Sequence, residues 1–471
     1  MKNLILGVIN YISLPLINII MLPKITKSIE PSIYGEYTFF NNLFSMILIF
    51  SFLDIVPIII QRYLNRQFSN YREIKKIVVF LNYLSIILFI IITFFVFLIF
   101  KSKLLILVAL NLACSNLINQ IGRFCIVNGK IKENNLLKLS NVIIYMVSLI
   151  FLIRLQLFNI YALLLGNLLY SLVVLIYLGS KNLKRILNLR KVDKRLLKEV
   201  LKYGIPFIFI NLSGGILNFG DRYIIKLLLQ NPEYWIGIYS IQYTIYSQIF
   251  NLFLQLYYLY IPSKLYIVFE KEGLEKFIEK LKIWIKLYII LGVLIIILIE
   301  ITYPKINSIL LSSNYNLNIN FIMYIVTGGF LFGIYRLFGE VLNMLKLTNY
   351  LNISIWMSGI INIVLNYFFV PKLGIKGAAI TTFISYFILV IIIYLVIEKK
   401  VQKRILNYRE IGLLLFFIIS IILIDEIWVR EVLEERKVEI IIKGIMEIGI
   451  MGGIYLVIQK RRIISILENL K

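Results

Sequence analysis

Apolar residues along this chain run in long blocks, and polar residues collect between them. Ile295–Ile299 is wholly apolar, and Ile86–Phe100 is interrupted only by Thr93. The blocks reach roughly 18–25 residues, the length that carries a helix across a hydrocarbon core. Lipid offers no partner to a backbone N–H or C=O, so spans are either helices or strands of a closed barrel. Barrel strands alternate apolar and polar residues over about ten positions, and these blocks do not. The pattern predicts an all-α integral membrane protein with about 14 transmembrane helices. They are expected near 3–23, 37–60, 77–100, 104–127, 139–158, 160–178, 203–229, 235–261, 283–303, 320–342, 351–371, 375–397, 411–428 and 439–458. The thirteenth ends in Asp425-Glu426, and the fourteenth carries Lys443 and Glu447 one turn apart, where they can pair.

The polar connections set the organisation. The longest, 181–202, is strongly basic and separates six spans from the next six. It divides the chain into an N-terminal six-helix lobe (1–180), a basic cytoplasmic linker (181–202), a second six-helix lobe (203–400) and two additional helices with a basic tail (401–471). Tyr34-Gly35-Glu36-Tyr37-Thr38 enters the second span and Ile236-Gly237-Ile238-Tyr239-Ser240 enters the eighth, a shared G-x-Y-[ST] six spans apart. Equivalent ends on one side imply a repeat about a pseudo-two-fold axis along the membrane normal. Transporters built from repeats place substrate between them.

Sixty per cent of the 471 residues are apolar, a share that a soluble fold of this size cannot bury around one core. The formal charge of +25 invites a nucleic-acid partner. No recognition motif accompanies it, and Lys and Arg sit mostly in short loops on one side, so no nucleic acid is expected. That is the positive-inside pattern, and it puts both termini in the cytoplasm. Linkers 181–202 and Lys264–Lys282 are expected to lie on the anionic inner leaflet; docking of a partner enzyme is the alternative for the first. Cys114 and Cys125, in one apolar block, read as unpaired core thiols. With no histidine and no CxxC, neither a zinc site, nor histidine catalysis, nor a cofactor is expected. The apolar run to Pro23 has no small-residue cleavage site and continues into further spans, so it is expected to be the first helix.

Charges inside spans cost about 2.5–3.5 kcal/mol each on insertion scales, so each needs an explanation. On the seventh span Asn211, Gly214/Gly215, Asn218 and Arg222 fall on one stripe, with Lys226 a turn further. Asp221 lies about 100° round the helix from Arg222. One reading is a cationic stripe for an anionic headgroup; the other has Asp221, Arg222 and Lys226 marking the external interface with snorkelling side chains. On the fourth span Asn116, Asn119/Gln120 and Arg123 share a face, and Arg123 has no acid one turn away. On the tenth, Arg336, Glu340 and Asn343 share a face, and Arg336 can pair with Glu340. Asp54 and Arg62 bracket the inner end of the second span. Thr244, Gln248, Asn251 and Gln255 form an amide stripe on the eighth, suited to a hydroxyl-rich ligand because amides donate and accept. Hydrogen bonding between helices is its other account. Ser354, Ser358, Asn362 and Asn366, at intervals of four, read as packing residues.

Pro23-Lys24-Ile25-Thr26-Lys27 with Tyr34-Gly35-Glu36-Tyr37 resembles the first external loop of bacterial polysaccharide flippases. These form the O-antigen and capsule repeat-unit branch of the multidrug, oligosaccharidyl-lipid and polysaccharide exporter superfamily. Tyr203-Gly204-Ile205-Pro206, Asp221-Arg222-Tyr223 and Gly237-Ile238-Tyr239-Ser240 resemble their seventh and eighth helices. Asn362–Asn366 followed by Pro371–Ala379 resembles their eleventh-to-twelfth junction, and the likeness covers most of residues 1–400 in order. The resemblance implies two six-helix lobes around a cavity that opens to alternate sides. It implies a non-enzymatic flippase of the bacterial inner membrane that moves undecaprenyl-diphosphate-linked oligosaccharide to the external leaflet for lipopolysaccharide or capsule synthesis. Arg123, Arg222 and Lys226 are then the residues for the diphosphate. Asn119, Asn211, Asn218, Asp221, Thr244, Gln248, Asn251, Gln255 and Arg336 complete the candidate cavity. The bilayer and a polysaccharide polymerase or glycosyltransferases are the implied partners.

The two helices after residue 400 depart from the twelve-span pattern and are similar to those of lipid II flippases, which keeps a peptidoglycan precursor as an alternative substrate. A cation-coupled drug exporter of the same superfamily usually carries an acid in its first helix, where this chain has Asn10, Ser13 and Asn18. A membrane polysaccharide polymerase needs a sizeable catalytic loop, and the external loops here are short.

Overall fold

The structure, a computed structural model, describes residues 2–51, 53–63, 71–186, 192–315, 321–402 and 405–431. Among them the chain is helical, without strands: α1 (Lys2–Ser28), α2 (Pro31–Phe50), α3 (Val56–Tyr63), α4 (Tyr71–Phe100), α5 (Lys103–Val127), α6 (Ile131–Arg154), α7 (Ile160–Ile186), α8 (Lys194–Leu228), α9 (Pro232–Leu310), α10 (Ile322–Met344), α11 (Thr348–Val401) and α12 (Tyr408–Glu431). Seven of these described helices are long and apolar enough to cross a bilayer. Ile87, Ile90, Phe94 and Ile99 of α4 are uncovered by protein, as a lipid-facing stripe requires. This is an all-α multi-pass membrane protein. The thirteenth expected span is α12; the fourteenth, 439–458, and the basic tail lie outside the described residues.

Where helices differ from the expected spans, the causes are local. The second expected span is two helices, with a break from Ser51 to Ile55. The seventh begins earlier than expected. Asp193 caps α8, its carboxylate accepting from the N–H groups of Arg195 at 2.8 Å and Leu196 at 3.4 Å, so the end of the basic linker is helical. α9 has 79 residues, far more than one crossing needs, and breaks at Gly273, where φ is 83°. The break lies in the Lys264–Lys282 linker, which buries Phe277, Ile278 and Leu281. Its exposed face pairs Lys276 with Glu279 (2.9 Å) and Lys280 with Glu272 (3.3 Å). The Glu279 carboxylate holds the Lys276 ammonium pKa above its ordinary value.

α11 holds the eleventh and twelfth expected spans as a hairpin. It turns at Gly374 with φ 59° and ψ −139°, a conformation open to glycine and strained for other residues. Across the hairpin Asn362 Nδ2 donates to Thr382 Oγ1 at 3.4 Å; within the first limb Asn366 Nδ2 donates to Asn362 Oδ1 at 3.0 Å. Ser354, Ser358, Asn362 and Asn366 are all buried, as packing residues should be.

The chain forms two compact units, Met1–Ser240 and Ile241–Lys471. In the first, α2 packs on α5 and α8, α3 on α4, α5 and α8, and α6 on α7. In the second, α10 packs on α11 and α12. There the Tyr288 and Phe330 rings stack at 5.4 Å, and Tyr288 Oη donates to the Phe330 carbonyl at 3.1 Å. Glycines make room for both rings: a Cβ on Gly333 would meet Tyr288 Oη at 1.8 Å, and one on Gly292 would meet Phe330 at 2.2 Å.

Candidate functional site

A break inside a span frees backbone groups that lipid cannot satisfy, and discontinuous helices of this kind line binding sites in transporters. Ser51 closes α2, its N–H donating to Ile47 O at 2.8 Å and its hydroxyl to Leu48 O at 3.1 Å. The carbonyl of Ile55 opens α3 by accepting from the N–H groups of Ile58 (2.9 Å) and Ile59 (3.0 Å). Two neighbouring helices supply the remaining partners. Gln120 of α5 donates to the Leu53 carbonyl at 3.5 Å and to Asn116 Oδ1 at 3.0 Å. Asn211 of α8 donates to Asp54 Oδ2 at 2.6 Å. α8 lies close because Gly204 faces the break: a Cβ there would sit 2.7 Å from Ile55 Cγ2. Asp54, Asn116, Gln120 and Asn211, which the sequence placed on three spans, therefore converge.

α5 uncovers opposite faces in its two halves. The first half uncovers Ile106 and Leu110; the second uncovers Ser115, Asn119 and Arg123, with Ile126 one turn on. Asn116 and Gln120 turn inward. The single face expected for Asn116, Asn119/Gln120 and Arg123 is thus divided, Asn116 and Gln120 buried and Asn119 and Arg123 exposed, because the break draws Asn116 and Gln120 to itself. Ser115 Oγ continues the open stripe by donating to Asn111 Oδ1 at 3.4 Å. An uncovered polar stripe on a spanning helix is costly against hydrocarbon and favourable against water.

The far end of α8 holds a buried ion pair. Arg222 Nη1 lies 2.8 Å from Asp221 Oδ1 and donates to the Asn218 carbonyl at 2.7 Å. Tyr239 Oη donates to Asp221 Oδ2 at 2.6 Å, and its ring lies 5.0 Å from the guanidinium. Arg222 is only 4 % exposed and Asp221 2 %. Lys226 pairs with Glu233 and sits 5.5 Å above the Phe39 ring. Both cations of this stripe therefore hold carboxylates, while Asn218 is half-buried beside them.

The remaining candidates lie in the second unit. Arg336 of α10 is half-buried and Glu340 buried; Thr244, Gln248 and Asn251 are half-buried on α9, and the Gln255 side chain lies outside the described residues. A polar group that sequence reasoning missed lies here too. Tyr246 Oη donates to Asn307 Oδ1 at 2.7 Å, Tyr303 Oη to Asp425 Oδ1 at 3.4 Å, and Glu300 is buried one turn before Tyr303. Its signal was present: Glu300 ends the run Ile295–Ile299.

No family model matches the chain. An uncharacterized membrane protein of Methanocaldococcus jannaschii is 28% identical over 111 residues, or 24% of this chain, and the match spans only 22% of that protein's length. Among solved structures, a multidrug resistance MATE family transporter of the MOP superfamily in an inward-facing conformation superposes with a TM-score of 0.60 at 16% identity, over 85% of this chain and 94% of that one. The lipid II flippase MurJ in an inward closed conformation superposes with a TM-score of 0.57 at 15% identity, over 97% of both chains. The chain has the fold of these transporters.

Proposed function

We propose that the protein is a flippase of the bacterial inner membrane, with both termini cytoplasmic, that moves undecaprenyl-diphosphate-linked oligosaccharide to the external leaflet by alternating access. The uncovered Ser115–Asn119–Arg123 stripe on a membrane-spanning helix carries this reading. A diphosphate crossing hydrocarbon meets a heavy charge penalty. A hydrated wall with a cation relieves that penalty while the lipid tail stays in the bilayer. The broken α2–α3 span adds amides and Asp54 to the same unit, and the Thr244–Asn251 stripe suits sugar hydroxyls.

Flippases and drug exporters share the fold, so the substrate is read from the polar stripe and not from the fold. A peptidoglycan precursor on the same lipid diphosphate is the second reading, since the headgroup chemistry is shared. The test is translocation of a labelled lipid-linked oligosaccharide in proteoliposomes, with drug uptake as control. Transport is expected in the wild type and lost in Arg123→Ala; transport of drug alone overturns the assignment.

A further inference from the structure

We infer that the end of the first unit where α3, α4, α5 and α8 meet is a loading site for a lipid-linked diphosphate, formed by Arg62, Lys75, Arg123 and Lys202. The site deepens the proposed function and rests on its orientation. The four helix ends share one apolar plug, with Ile59, Ile77 and Val200 buried in it and Phe124 and Leu197 packed against it. The cations rim this plug. Arg62 of α3 sits 5.5 Å over the ring of Tyr203 on α8, and Lys75 of α4 sits 6.0 Å over the ring of Phe124 on α5. Arg123 precedes Phe124 and Lys202 precedes Tyr203, and all four cations are exposed.

An aromatic face orients a cation without cancelling its charge. Nearby acids leave the rim positive: Glu73 is paired with Lys76 at 2.5 Å and Glu133 with Lys130 at 2.8 Å, and Glu199 is the acid of the first turns of α8. A topology signal needs only cations in a loop; it does not need two of them set over rings of neighbouring helices. The Lys264–Lys282 linker shows the contrast, since it pairs Lys276 and Lys280 with its own glutamates. Four cations exceed what one phosphodiester charge calls for and match two phosphoryl groups. Arg123 is also the foot of the polar stripe on α5, so a headgroup held at the rim already touches the path across.

The test uses full-length protein in nanodiscs, titrated with undecaprenyl diphosphate and, separately, with phosphatidylglycerol, with binding read by native mass spectrometry. R62Q/K75Q/K202Q, which leaves Arg123 in place, is expected to weaken undecaprenyl diphosphate binding about tenfold and phosphatidylglycerol binding by less than about twofold. R62K/K75R/K202R is expected to bind as the wild type does. Unchanged diphosphate binding, equal weakening for both lipids, or loss in the charge-conserving variant overturns the site. A wild type that shows rim-dependent binding but translocates no lipid-linked oligosaccharide refutes the flippase reading alone. One that translocates it, with binding indifferent to the triple change, refutes the loading site alone.

Discussion

Gly35 and Gly237 face one another so closely that neither has room for a side chain. A Cβ on Gly35 would lie 1.7 Å from the carbonyl oxygen of Glu233, four residues before Gly237; one on Gly237 would lie 1.9 Å from that of Pro31, four residues before Gly35. The contact is reciprocal, each glycine resting on the turn that precedes the other. These are the two glycines of the repeated G-x-Y-[ST] motif.

Because the obstructing atoms are backbone, rotation of a side chain cannot relieve the clash. Gly35→Ala or Gly237→Ala is expected to destabilise the protein by about 1–3 kcal/mol, as overpacking does. Gly214 on α8 has no atom within 4 Å of its Cβ position. Gly214→Ala should be neutral or stabilise by up to about 1 kcal/mol through helix propensity. Thermal unfolding in detergent compares the three; equal shifts for all would show that the glycine contact is not tight.

Asp221 and Arg222 make a second test, this time of charge. Asp221→Asn leaves a guanidinium buried beside a neutral amide, and removing one partner of a buried pair costs about 3–5 kcal/mol. Asp221→Asn/Arg222→Gln removes both charges and should recover most of that loss. A double variant less stable than Asp221→Asn would mean that Arg222 is stabilised by something other than its carboxylate.

The spanning helices were legible because lipid enforces one rule along every apolar block. The break at Ser51–Ile55 was not, because Phe52 and Leu53 are as apolar as the residues around them and no proline or glycine marks the interruption. Its partners were visible one at a time: Asp54, Asn116, Gln120 and Asn211 are polar residues in apolar surroundings. Their convergence depends on which helices pack, and helical spacing within one span says nothing of that. The same limit explains α5, where periodicity grouped Asn116 with Arg123 although packing separates them. Arg222 shows a further case: the 100° offset left Asp221 able to tune that cation or to pair with another helix, and the long guanidinium stem reaches back to 2.8 Å.

The hydrogen bond from Asn211 to Asp54 holds α8 to the broken span. Asn211→Ala removes the donor from a carboxylate inside the membrane, where a charged hydrogen bond is worth about 1.5–3 kcal/mol. The variant should unfold at lower temperature and transport more slowly, and Asp54→Asn/Asn211→Ala should be less impaired than Asn211→Ala alone. If Asn211→Ala behaves as the wild type in both assays, the bond does not anchor the break.

The two uncovered faces of α5, apolar at Leu110 and polar at Ser115 and Asn119, predict where water reaches it. In a Cys114→Ser/Cys125→Ser background, cysteines at Ser115 and Asn119 should react with a membrane-impermeant thiol reagent, whereas one at Leu110 should not. All three positions are uncovered by protein, so a difference reports the medium they face and not burial. Lipid suppresses thiolate formation and excludes a charged reagent; water permits both. Lipid-linked diphosphate should slow labelling at Asn119, one turn from Arg123, more than at Ser115, two turns away. Labelling of Leu110 at the rate of Asn119 would place the whole of α5 against water, and no labelling at Ser115 or Asn119 would place the stripe against lipid or a partner and remove the main support for a hydrated path.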